Sequence, residues 1–341
     1  MNATKFFSLR WVTACMLVFF TMFTAASPAL ASGGGSEEEF SAKDLIFHHI
    51  LDTHEWHFFD GPYGTLYLPV IVYSQEGGLE VFSSSNFYND HHEVVPYQGY
   101  IYDHGHITHE QYGHVYDFSI TKNVAAMFIS FALLLFVFLS SARSYKKRGN
   151  SPPKGIAAFF EPLILFIRDD IVVPNIGKKD ADKFMPYHLT LFFFIWFNNL
   201  LGLLPGAANV TGNIAVTVTL AIITLIITHV YAKKPYWSHI FNPPVPMALK
   251  PMMIPIEVVG IFTKPFSLTV RLFANITAGH IMILVLLSFA FIFKSVAVGA
   301  LSAVVATAMN FLELLVAFIQ AYVFTLLSSI FIGQAMEEAH H

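Results

Sequence analysis

The chain has 341 residues, of which 55% are hydrophobic and only 12% charged; phenylalanine alone contributes 35, and the net charge is −4. That composition excludes a soluble enzyme and a nucleic-acid binder and indicates a polytopic membrane protein. The charge is unevenly spread: Ser32 to Asp117 holds 14 acidic residues and one lysine, Lys43, so the remainder is basic.

Residues 1–31 read as a secretory signal peptide. Lys5 and Arg10 form a positive start, Trp11 to Phe23 an apolar run, and Ala29-Leu-Ala31 a small-x-small cleavage site. An uncleaved first membrane helix is the alternative, but the apolar run is short. Cys15, the sole cysteine, falls in this segment, so a mature chain is expected to have no disulfide, thiolate metal site or cysteine nucleophile. The mature N-terminus is then expected outside the cytoplasm.

Residues 32–120 are expected to form a small acidic, histidine-rich extracytoplasmic domain. Leu66 to Tyr73, Leu79 to Ser83 and Gly99 to Asp103 are rich in β-branched and aromatic residues between turn signals, which predicts a small sheet. Ten of the 16 histidines lie here, including His48, His49, His91, His92, His104, His106, His109 and His114. Neutral imidazole suits zinc, copper or nickel, so His104, His106 and His109 are weak metal candidates. No fixed ligand spacing stands out, and no cofactor is expected.

Residues 121–341 form the expected membrane domain. Val124 to Ala142 is a 19-residue apolar run followed at once by Arg143, Lys146, Lys147 and Arg148, as an outside-to-inside crossing requires. Residues 156–173 are apolar but interrupted by Glu161, Arg168, Asp169 and Asp170, which predicts a helix lying at the inner interface. Residues 187–204 cross outward, an uncharged loop follows, and 210–231 cross inward to Lys233-Lys234. Two long apolar stretches, 252–293 and 295–336, complete an all-α membrane fold of about five spans. Ser295 to Gly333 alone would make a helix of about 58 Å against about 30 Å of hydrocarbon, so the last two helices are expected to tilt strongly and to turn near Lys294.

From Pro265 to Met336 the only formal charges are Arg271, Lys294 and Glu313. Lys294 sits at a break between apolar runs, but Arg271 and Glu313 lie well inside them. An ionisable group at the bilayer centre costs about 2.5–3.5 kcal/mol on insertion scales, which makes function the default reading. Interhelical glue, or an arginine snorkelling to the interface, is the plainer alternative. On a helical wheel Asn275 lies about 40° from Arg271, whereas His280 falls about 180° away. Glu313 and Gln320, seven apart, are nearly aligned, with Asn310 close to the same side. Arginine stays charged, whereas histidine and glutamate can relay protons, so a fixed cation flanked by titratable groups is what a path needs if protons must not run straight through.

Ser267-Leu-Thr-Val-Arg271-Leu-Phe-Ala-Asn275 with Ala278-Gly279 resembles the signature of subunit a of the F-type ATP synthase, the stator proton channel. Asn199-Leu-Leu-Gly-Leu-Leu-Pro205, Glu257 before Lys264-Pro265, and Gln320-Ala-Tyr-Val-Phe324 match in the same order, over roughly Val124 to the C-terminus. The resemblance implies that Arg271 is the stator arginine facing the c-ring, holding each passing ring carboxylate ionised and blocking a direct leak. It implies that Gln320 lies opposite that arginine and that Ser267, Asn275 and Glu257 belong to the translocation site. The better-known bacterial form carries a glutamate nine residues after the arginine and a histidine seven before the glutamine. Here the types are exchanged, as His280 and Glu313, which suggests that the two cooperate in the outer half-channel. Gly202 and Asn213 stand where some relatives carry aspartates. The implied partners are c-ring subunits, b-type peripheral-stalk subunits, the remaining synthase subunits and lipid; nucleotide chemistry belongs to other subunits. The implied location is a bacterial inner membrane, with the mature N-terminus periplasmic and the C-terminus cytoplasmic. The rivals are a membrane-anchored histidine-rich metal-binding protein and a purely structural scaffold.

Overall fold

A computed structural model describes residues 52–57, 64–89, 94–103, 105–111, 113–148, 154–204 and 206–337. The expected signal peptide with Cys15, and His48, His49, His91, His92, His104 and Pro205, lie outside the described residues. The described chain divides into two compact units, one of residues 52–122 with 204–208 and one of 123–203 with 209–337.

The first unit is built from short antiparallel strands. β1 (Glu55–His57) pairs with β2 (Thr65–Tyr67), and β3 (Pro69–Ser74) pairs with β4 (Gly78–Ser83). β5 (Tyr100–Asp103), β6 (His106–His109) and β7 (Gly113–His114) make a second three-stranded sheet, and β8 (Tyr116–Asp117) returns to the free side of β3. Strict alternation turns Val70 and Val72 inward, where they pack with Phe87, Tyr100, Ile107 and Val115. The apolar run expected as one strand over 66–73 is broken at Leu68. Its amide turns away to the His54 carbonyl (3.2 Å) and the Ser84 hydroxyl (3.0 Å), and Leu68 returns its own carbonyl to the Ser84 amide.

His54, 2% exposed, lies 2.9 Å through Nε2 from the Asp117 carboxylate, which also accepts the Ser119 amide at 2.8 Å. This contact closes the unit between residues 63 positions apart. Burial pushes the Asp117 carboxyl up, but the hydrogen bonds from His54 and Ser119 outweigh it and hold the group below the usual carboxylate range.

The second unit is helical. α1 (Lys122–Arg148) begins at the edge of the first unit; α2 (Ile156–Phe166) continues through a π-helical stretch, Ile167–Val172, into a last turn, Val173–Ile176. α3 (Ala181–Gly202) and α4 (Ile214–Val230) follow, then the short α5 (Lys234–Phe241), bent 103° from α4. α6 (Lys250–Phe293) and α7 (Val296–Met336) are 44 and 41 residues long. At 1.5 Å per residue they measure about 66 and 62 Å. The turn between them is where the sequence placed it, at Lys294, held in the left-handed region at φ 45°.

Among the described residues three helices, α1, α6 and α7, are long and apolar enough to cross a membrane, and a fourth crossing arises if α4 and α5 count as one bent span. The protein is therefore a multi-pass membrane protein. α3, the remaining expected span, is not among them: it carries Asp182, Lys183, His188, Asn198 and Asn199 within 22 residues. The inner pair of asparagines and His188 are buried within the protein rather than offered to lipid.

The π-helical stretch frees backbone for use by a neighbour. The Ile171 carbonyl accepts from the Asn175 side-chain amide (2.7 Å) and from the Ser329 hydroxyl of α7 (3.2 Å). One turn on, Gly333 sits against the Asn175 carbonyl so closely that a Cβ there would overlap its oxygen and lie 2.8 Å from its carbon. Backbone cannot yield as a flexible side chain can. Gly333→Ala should therefore cost about 1–3 kcal/mol, as overpacking does, read as an earlier thermal unfolding of the detergent-solubilised chain; an unchanged midpoint would contradict this docking.

Asp117 gives a second test. A carboxyl held lower in the folded than in the unfolded state stabilises above its unfolded value and loses that contribution as pH falls through the folded one. Asp117→Asn should weaken the first unit at pH 7 and make it less sensitive to acidification below about pH 4. Amide hydrogen exchange across residues 65–117 reads both effects; wild-type acid sensitivity in the variant would contradict them.

Candidate functional site

α6 and α7 run antiparallel, cross-linked at two levels. Lys264 Nζ donates to Gln334 Oε1 at 3.3 Å and lies 5.2 Å from the centre of the Phe331 ring. Farther along, His280 Nδ1 lies 3.2 Å from Glu313 Oε1. Between these two levels lie Arg271 and Asn275 on α6 and Gln320 on α7.

At the second level three elements converge. His280 Nε2 reaches the Gly202 carbonyl at the end of α3, at 3.0 Å, and Nδ1 reaches the Ile276 carbonyl of its own helix at 3.1 Å. Both ring nitrogens thus face acceptors, two carbonyls and a carboxylate. Glu313 Oε1 is left buried without a donor, in agreement with a side chain 7% exposed.

Such proximity needs a gap in α6, and Gly279 supplies it. A Cβ at Gly279 would overlap Glu313 Oε1 and lie 2.8 Å from the carboxyl carbon. Asn310 Oδ1 and Thr277 Oγ1 are likewise buried without a hydrogen-bond partner. Along α7 the buried positions Ser302, Ala306, Asn310, Glu313, Ala317, Gln320 and Phe324 follow one helical stripe of mostly small and polar residues. Asn199 fixes the approach of α3: its Nδ2 donates to the Ala317 carbonyl of α7 (3.1 Å), and its Oδ1 accepts from Thr211 ahead of α4 (2.5 Å).

Arg271 points the other way. It is exposed, together with Ser267, Val270, Ala274, Asn275 and Ala278, while Leu272 and Ile276 on the far side of the helix are buried. The exposed set recurs at three- and four-residue spacing, a narrow face of small residues with one arginine. No ion pair joins Arg271 to another described residue. Glu257 stands apart: it lies 14 residues before Arg271, about 21 Å along α6, and 3.9 Å from His239 Nδ1 of α5.

The structure thus brings His280 and Glu313 together with Asn310 nearby on the buried side. It places Ser267, Arg271 and Asn275 on the exposed side, Gln320 buried in between, and Glu257 remote from all of them. Sequence reasoning missed the Gly202 carbonyl, Thr277 and the Asn199–Thr211 bridge, although Asn199, Gly202 and Gly279 each fell within a quoted motif. Asn213 has a plain local role: its Oδ1 caps α4 by accepting the Ala215 amide at 2.9 Å.

The two described metal candidates do not converge. His106 and His109 sit three apart on β6, so pleating sends them to opposite sides. His109 lies edge-on to Tyr100 at 4.7 Å, and its Nδ1 accepts the Gln111 amide. Among the described residues no group of three metal-ligating side chains stands together.

The sequence profile of the ATP synthase A chain family matches residues 124–333, and that of a domain of unknown function (DUF8433) matches residues 45–127. The chain is 39% identical over 300 residues to "ATP synthase subunit a" of Chloroherpeton thalassium, covering 86% of this chain and 77% of that one. It is 42% identical to "ATP synthase subunit a 2" of Chlorobaculum tepidum (89% and 76% covered) and 41% identical to the protein of the same name in Prosthecochloris aestuarii (93% and 85%). Gly279→Ala should push Glu313 out of its seat and destabilise the α6–α7 pair by about 1–3 kcal/mol. Asn199→Ala should cost a similar amount by stranding two buried groups. Thermal unfolding in detergent checks both, and a neutral Gly279→Ala would show that the junction has slack.

Proposed function

This chain belongs to the ATP synthase subunit a family, and on that premise we propose how its residues carry protons for ATP synthesis. The observation that carries the proposal is the division of α6 into two chemically different sides: Arg271 on the exposed face and the His280–Glu313 contact on the buried one.

In this reading the exposed stripe around Arg271 faces a ring of c subunits, each presenting one carboxylate. The small residues Ser267, Ala274 and Ala278 let the ring helices approach, and Arg271 attracts each carboxylate in its ionised form. At an effective dielectric constant near 20, two unit charges 4 Å apart attract by about 4 kcal/mol, and more where water is excluded. Because arginine does not lose its proton, it cannot pass one on. A proton can therefore reach the ring from either side of Arg271 but cannot cross it directly, so net flux requires rotation.

His280 and Glu313 form the relay of the outer half-channel. A proton arriving on the carboxylate is 3.2 Å from Nδ1, and the buried oxygens of Asn310 and Thr277 extend a polar lining along the same interior. Gln320, one level nearer to Arg271, takes the path on toward the ring, and Glu257 with His239 marks the inner half-channel. The subunit itself catalyses no bond change. It sits in a bacterial inner membrane with five spans, α3 included, the last two strongly tilted. Its signal peptide (1–31) and extracytoplasmic domain (32–120) precede the membrane domain (121–341), and b-type peripheral-stalk subunits hold it against the rotor.

Two outcomes test this. Arg271→Ala should abolish ATP-driven acidification of inverted vesicles while the complex still assembles; retained pumping would refute the role of the arginine. Glu313→Gln should slow proton flux, and His280→Ala should add little to that loss. Additive losses in the double variant would argue against one shared relay.

A further inference from the structure

The sheet β4–β3–β8 has an outer face that no described residue of its own unit covers. Register builds that face row by row: Tyr73 stands opposite Leu79 on one side and Tyr116 on the other, and Ile71 stands opposite Val81. The Phe118 amide donates to the Ile71 carbonyl at 2.8 Å, which sets Phe118 in the same row. Leu79, Val81, Tyr116 and Phe118 are 65, 62, 53 and 65% exposed, and Tyr73 is 42% exposed. The opposite face of β3 is core, through Val70 and Val72. Glu80 and Asp117, the charged residues of these strands, alternate to that opposite side, and Asp117 is engaged by His54. A contiguous uncharged aliphatic and aromatic patch of this kind marks an interaction surface.

Two features of the chain select its partner. Phe118 lies four residues before Lys122, the first residue of α1, and four residues reach at most about 14 Å. Where α1 enters the bilayer, this edge of the sheet cannot be far from the lipid boundary. Tyrosine is at home at that boundary, with an apolar ring and a polar tip. The segment Ser32 to Asp117 is otherwise strongly acidic, 14 carboxylates against one lysine. Anionic headgroups repel such a surface, so the uncharged patch is the side that lipid accepts.

We propose that the outer face of β4–β3–β8 rests on the bilayer surface where α1 begins, with Leu79, Val81, Tyr73, Tyr116 and Phe118 at the headgroup–acyl boundary. The proposal rests on α1 being a membrane span. It accounts for an apolar face on an acidic domain and supplies a lipid contact for the segment that precedes the family's membrane region.

Single cysteines bearing a nitroxide test it in the full chain, assembled and reconstituted into zwitterionic phospholipid vesicles, with Cys15→Ala removing the sole native cysteine. Power saturation compares collision with dioxygen, which concentrates in lipid, and with a water-soluble nickel chelate. Leu79→Cys and Val81→Cys should be more accessible to dioxygen than to nickel, and Gln111→Cys, on an exposed turn, the reverse. Phe131→Cys, 52% exposed on α1, must favour dioxygen; failure there would overturn the span and this proposal together. Preferential nickel access at Leu79 and Val81, with Phe131 in lipid, would show the face open to water and overturn the proposal alone. Exclusion of both reagents would show a protein cover, a second copy or another subunit, and would overturn it as well. In the unsubstituted chain a photoactivatable phospholipid should label residues 69–83; labelling confined to the helices would contradict the proposal.

Discussion

A carboxylate held inside an apolar helix is the constraint on which the membrane unit depends. Glu313 is 6% exposed in the middle of a 41-residue helix, where an uncompensated charge would cost several kcal/mol. The surrounding structure answers that cost locally. Gly279 removes a side chain so that α6 can come close, His280 Nδ1 stands 3.2 Å from the carboxylate, and the Gly202 carbonyl holds the imidazole from its other side. Asn199 then fixes α3 against α7 about one turn away, so that Gly202 is where His280 needs it. Three helices are registered by polar contacts that lipid cannot replace, which suits an environment where apolar packing alone is poorly specific.

The same arrangement lets one helix carry both of the functions proposed for it without mixing them. Arg271 and His280 are nine residues apart, half a revolution on the helical wheel, so the permanent cation cannot turn toward the proposed relay. The long α6–α7 pair keeps both levels in register through Lys264–Gln334 at one end and His280–Glu313 farther along. Asn275 and Gln320 lie between those levels, close to the helix–helix seam.

Much of this was legible in the sequence because the apolar runs are long and the interrupting charges few. The turn at Lys294, the lengths of the last two helices and the opposed faces of Arg271 and His280 all follow from residue spacing. The converging backbone was not legible: a carbonyl such as that of Gly202 leaves no trace in residue type, and a π-helical stretch that frees the Ile171 carbonyl has no simple spacing signal. The sequence reading starts α3 late, at Tyr187, because Asp182, Lys183 and Pro186 interrupt the apolar run, yet Phe184 packs against Ile332 and Met336 of α7 and sustains the helix there. In the first unit, β6 and β7 escape the sequence reading because histidine, threonine and glycine dominate them, and β8 because it is two residues long; pairing with neighbours rather than propensity makes them strands.

The central claim is that Arg271 separates two paths, one of which runs through Glu313. Passive proton conductance of vesicles holding the membrane sector alone, with an imposed pH difference, tests it most directly. Arg271→Ala should open a leak, and adding Glu313→Gln in the same chain should close most of it. A tight Arg271→Ala membrane, or a leak indifferent to Glu313→Gln, would contradict the account.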